Sequence, residues 1–160
     1  CLALIRAERF DDALVALDEA TAKAPSRDLD VMRAALLANM GDVVRARAAC
    51  ARVLESRASS AEAHYLLGLC DELEQRTETA REHYMRAVAL DEDFAMPRMR
   101  LGILARRRRE FADARRLLGD ALRLFPHQNE RALLVFGGGF HADALTRLCR
   151  TELNACKKTS

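Results

Sequence analysis

The chain has 160 residues, half of them apolar, with 26 Lys and Arg against 24 Asp and Glu and a formal net charge of +2. That size and apolar content suit one packed domain or a short solenoid and exclude general disorder. The near-balanced charge leaves no footprint for nucleic acid, and nowhere does an apolar run reach the ~18 residues that a membrane span needs.

Ala, Leu, Arg and Glu dominate and Trp is absent, which favours helix throughout. Apolar residues recur at three- and four-residue spacing, and no stretch alternates long enough for a strand. The pattern predicts helices over 1–7, 9–23, 28–40, 42–56, 61–74, 77–90, 95–108 and 110–124. Pro25 and Pro126 close helices, Gly41 marks a hairpin turn, and Pro97 sits in a first turn where its missing N–H is tolerated. A short helix, a break at Gly137–Gly139 and a helix over 140–156 follow, the last with Leu145, Leu148, Cys149, Leu153 and Cys156 on one side. Beginning at Cys1 without Met, partway into a repeat, the sequence is expected to be a piece of a longer chain.

An internal repeat organises these helices. With Ala61–Phe94 written above Ala95–Gln128, Leu67-Gly68 falls over Leu101-Gly102, Ala80 over Ala114 and Ala87 over Ala121, all 34 residues apart. The window 27–60 keeps the register, with Ala34 in place of the glycine and Ala46 matching Ala80. Residues 1–26 read as a truncated repeat, and 129–160 as the short helix, the glycine break and a cap for the open end of the stack. Gly68 with Ala80, and Gly102 with Ala114, are expected where paired helices approach closely. Tyr84, Leu118 and Leu67 are expected to fill the space between successive hairpins.

Leu67-Gly68, Ala80, Tyr84 and Ala87, then Leu101-Gly102, Ala114, Ala121 and Pro126, resemble the tetratricopeptide repeat signature. Asp71 and Ala105 depart from it where an aromatic is usual, and Glu92 where a proline is usual. The resemblance implies an all-α solenoid of antiparallel hairpins with a C-terminal capping helix, acting as a protein-interaction module. A narrower resemblance runs through residues 60–156 and is carried by HYLLGL from His64, YMRAVALDEDF from Tyr84, LGILARR from Leu101 and LLVFGGGF from Leu133. It is to the repeat domain that follows the catalytic domain in bacterial chemoreceptor methyltransferases of the CheR type, the Frz-pathway methyltransferase of myxobacteria among them. It implies a parent that methylates receptor glutamates with S-adenosylmethionine bound in a catalytic domain outside this chain.

Within the chain no strand precedes a glycine-rich turn and helix, so no cofactor and no catalytic residue is assigned to it. His64, His83, His127 and His141 have no ligand-like grouping, so no metal site is expected, and His64 and His83 are expected between helices. Five cysteines without a CxxC spacing suit a reducing cytoplasm, with Cys50 and Cys70 as small core hydrophobes. Arg106–Arg109 point around a helix end without interleaved aromatics, where they favour the helix dipole more than nucleic acid; an acidic partner is the alternative.

The expected working surface is the concave side, at repeat positions 2, 5, 9 and 12 of each first helix. These are Asp28, Val31, Ala35 and Ala38, then Glu62, Tyr65, Leu69 and Glu72, then Met96, Met99, Ile103 and Arg106. Tyr65, Leu69, Met96, Met99 and Ile103 form an apolar strip edged by Glu72 and Arg106, suited to a helix or peptide of a partner. Cover by the chain's own tail is the alternative. The inner positions lack the Lys, Asn and Arg of repeats that clamp a C-terminal carboxylate. Tyr65→Ala and Met99→Glu are expected to spare the fold. The partner is expected to be a chemoreceptor, another chemotaxis protein or the parent's own catalytic domain; a stand-alone adaptor unrelated to methylation is the second reading.

Overall fold

The computed structural model describes residues 2–7, 9–56 and 59–157, and every regular element within them is helical. Helices α1 (Leu2–Arg6) and α2 (Phe10–Lys23) precede three antiparallel hairpins. These pair α3 (Arg27–Asn39) with α4 (Val43–Ser56), α5 (Ala61–Leu73) with α6 (Thr77–Leu90), and α7 (Ala95–Arg107) with α8 (Phe111–Leu124). A single 3-10 turn (Phe125–His127) leads to α9 (Glu130–Phe136) and α10 (Ala142–Lys157). Cys1, where the first predicted helix begins, lies outside the described residues.

Side-chain caps set several helix starts. Ser26 Oγ accepts from the Leu29 N–H (3.3 Å), Ser60 Oγ from Ala63 (3.2 Å) and Asn129 Oδ1 from Arg131 (2.8 Å). Each satisfies an amide that has no partner inside its own helix. The hairpin turns are equally regular. Gly41, Gln75 and Arg109 are left-handed, with φ of 79°, 62° and 63°. The next N–H reaches back over each turn: Asp42 donates to Leu37 O (2.9 Å), Arg76 to Asp71 O (2.8 Å) and Glu110 to Ala105 O (2.9 Å). Only the first of these turns has the glycine that a positive φ favours.

Ala46, Ala80 and Ala114 are fully buried, one in the second helix of each hairpin. A Cβ on Gly68 would lie 2.6 Å from Tyr84 Cδ1, and one on Gly102 would lie 2.6 Å from Leu118 Cγ. The glycines therefore make room for one large side chain from the facing helix. Tyr84 and Leu118 pack within their own hairpins in this way, which corrects the expectation that they fill the space between hairpins. In the first hairpin the corresponding repeat positions hold Ala34 and Cys50, both fully buried, and burial pushes the Cys50 thiol up to about 12.

Helix α10 packs on α8 and α7, the last hairpin, and buries Leu145, Cys149 and Cys156. The Cys149 thiol donates to Leu118 O (3.4 Å). Leu148, expected on the same side, is left exposed. The amphipathic tail thus covers the open face that the end of a hairpin stack presents.

Candidate functional site: a concave groove and its resident helix

Helices α3 and α5 pack side by side, and α9 lies against α3, α1 and α10. Four consecutive residues of α9, Leu133 to Phe136, are all buried. Successive residues point around a helix, so this burial requires neighbours on every side. Phe136 meets Tyr65 of α5 and Phe94 in an edge-to-face cluster, with ring centroids 5.9 and 5.3 Å away, and Tyr65 lies 5.2 Å from Phe94. The Tyr65 hydroxyl donates to Phe136 O (3.0 Å) and Asn39 Nδ2 donates to Val135 O (3.0 Å). These are carbonyls that the end of α9 leaves without partners inside the helix.

The expected open strip is therefore closed. Tyr65, Met96 and Met99 are at most 1% exposed, and Leu69 and Ile103 only 7% and 6%. Val31, Ala35 and Ala38 are buried as well. Tyr65→Ala and Met99→Glu would strike the core, the second by placing a charge there, so the expectation that they spare the fold is corrected. The charged edge is also engaged. Glu72 accepts from the Tyr84 hydroxyl (2.7 Å), with Arg107 at 3.5 Å and Arg100 at 3.8 Å. Arg106 pairs with Glu152 of α10 and is drawn to the tail. Its neighbours divide in the same way, Arg107 toward Glu72 and Arg108 toward Glu78 and Glu110, so these three arginines make no common patch.

Two clefts stay open beside this filled centre. One, of about 270 Å³, lies between α3 and α9, with Val31, Val135 and Phe136 inside and Arg27, Glu62 and Arg131 around it. The other, of about 380 Å³, lies at the far ends of the first helices among Asn39, Leu69, Glu72, Leu73, Arg100 and Arg107.

A buried polar cluster lies where α5 meets α4 and α6. Asp71, 1% exposed, pairs with Arg47 and Arg76, and His83 Nε2 stands 3.7 Å from its other oxygen. His64 and His83 stack with their Nδ1 atoms 3.1 Å apart, so one must donate while the other accepts. Burial first, then neighbouring positive charge, holds His64 below the ordinary histidine value; burial is also the main cause for His83. Among the described residues, no three His, Cys, Asp or Glu side chains converge on a metal-sized site.

Asn39, Leu133, Leu134 and Phe136 were not among the residues expected at this surface. The run Leu133–Phe136 held the available signal, because a short segment apolar on all sides has to be enclosed by something.

The tetratricopeptide repeat profile matches residues 2–60, 31–93 and 99–157. The chain belongs to the tetratricopeptide repeat family. The probable biofilm formation methyltransferase WspC of Pseudomonas aeruginosa is 37% identical to this tetratricopeptide repeat protein over 89 residues, 56% of the chain. The match spans only 21% of that relative's length. Among solved structures, MamA from Desulfovibrio magneticus superposes with a TM-score of 0.60 at 22% identity, over 79% of this chain and 72% of that one. A second MamA crystal structure gives 0.57 at 19% identity, over 93% and 87%. At these identities the likeness is one of fold. No helix among the described residues is long and apolar enough to cross a membrane.

Proposed function

We propose that this tetratricopeptide repeat chain is the non-catalytic, protein-binding domain of a cytoplasmic methyltransferase acting on glutamates of chemoreceptor-type proteins. In that role it controls or targets methylation by holding a receptor, a pathway protein or the parent's catalytic domain. S-adenosylmethionine belongs to that catalytic domain, and this chain contributes no catalytic residue. The observation that carries the binding role is the pair of clefts with charged rims on the concave side, since tetratricopeptide stacks commonly use that side. The link to methylation rests on the 89-residue likeness to WspC.

The test is a methylation and partner-capture assay on the full-length parent carrying Arg107→Glu or Arg131→Glu, both exposed positions in the open clefts. Slower association or altered methylation is expected, with an unchanged circular dichroism melt. Folded variants with wild-type capture and methylation would remove the concave side from the mechanism. Because the likeness covers 56% of the chain, an adaptor unconnected with methylation is the second reading. The coding sequence upstream of Cys1 separates the two: a cofactor-binding α/β domain there supports the first.

A further inference from the structure

Helix α9 is held as a bound peptide is held. It has seven residues and follows an extended residue, Gln128. On its other side Gly138 and Gly139, with φ of 69° and 87°, join it to α10. Helix α10 has its own anchorage on α8 through Cys149, so it does not need α9 to stay in place. Within the groove, Tyr65 and Asn39 donate to main-chain oxygens of α9, a recognition available to the end of any helix. The aromatic seat made by Tyr65 and Phe94 selects a side chain, and Phe136 fills it.

We propose that α9 is a tethered resident of a helix-binding groove, and that an external protein partner enters by replacing it. The partner is a short helix with neighbouring leucines and an aromatic residue at its C-terminal end, the chemistry that α9 itself presents. This rests on reading the chain as a protein-binding module, and adds what it binds and how binding is held back. A segment on short linkers competes at an effective concentration of about millimolar, so partner affinity falls with the fraction of time that α9 is seated. The cleft along Val31, Ala132 and Val135 gives the incoming helix a place to dock first.

The experiment uses the whole chain and a fluorescent synthetic peptide of residues 128–140. In the wild-type protein, amides of residues 130–136 should exchange with deuterium faster than those of α5 and α7, and excess peptide should speed them further. Phe136→Ala in the chain weakens the resident and leaves the groove intact, so it should bind the peptide at least ~10-fold more tightly than wild type. Adding Asn39→Ala should remove part of that gain. Wild-type exchange of residues 130–136 at the rate of α5 and α7 would make α9 a permanent piece of core and overturn the proposal, whether or not Phe136→Ala folds. A folded Phe136→Ala protein that leaves the peptide unbound would overturn it too. A natural partner captured equally by wild type and Phe136→Ala would sink the displacement of α9 while sustaining the interaction module.

Discussion

One added carbon at Gly68 and one at Gly119 should move stability in opposite directions. Both glycines lie inside helices, α5 and α8, so each Gly→Ala change gains about 1 kcal/mol of helix propensity. At Gly119 nothing lies within 4 Å of the new Cβ, and the gain stands. For a chain of this size that is a rise in Tm of about 2–4 °C. At Gly68 the new carbon would meet Tyr84 Cδ1 at 2.6 Å and Cζ at 3.0 Å. That ring has little room to retreat, being fully buried, 5.8 Å from the Tyr65 ring and tied through its hydroxyl to Glu72. Overpacking of this kind costs about 1–3 kcal/mol, which leaves a net loss of about 0–2 kcal/mol once propensity is counted. The difference between the two variants contains no propensity contribution and should equal the overpacking cost, about 1–3 kcal/mol. Urea denaturation followed by circular dichroism, with both variants beside wild type, measures it. Equal stabilisation by the two substitutions would refute the close approach of α5 and α6 and the repeat register built on it.

Deleting residues 137–160 should lower Tm and promote association, because it uncovers the face of the last hairpin that α10 buries; a monomer with an unchanged Tm would show that the tail is no cap. Arg109→Gly should raise stability by about 0.5–1 kcal/mol, since φ there is 63°, and an unchanged denaturation midpoint would count against the left-handed turn. His64 and His83 are both held below the ordinary histidine value, so the unfolded chain takes up protons that the folded one refuses as pH falls through about 6.5. The stability they support is complete above that pH and declines on the acid side. His64→Gln with His83→Gln should flatten this decline, and a double variant with the wild-type pH profile would remove the pair as its source.

The hairpins were legible in the sequence because what makes them is local. Gly68 faces Tyr84, Gly102 faces Leu118, and the turns at Gly41, Gln75 and Arg109 recur with the repeat, so small residues and turn positions at a constant interval specify each unit. The amphipathic tail was legible for the same reason, since one apolar stripe on a helix implies one surface to cover. The state of the concave side was not. Tyr65, Met99 and Ile103 carry the spacing of a groove-lining stripe whether the groove is empty or full. The contacts that fill it join Tyr65 to Phe136 across 71 residues and Asn39 to Val135 across 96. No local period encodes a pairing at that range, because exposure of one face depends on where the rest of the chain comes to lie. The sequence by itself determined a stack of helical hairpins with a covered end. Only the tertiary structure decided that the groove of that stack is occupied from within, because closing it takes the meeting of α9 with α1 and α3, helices from opposite ends of the chain.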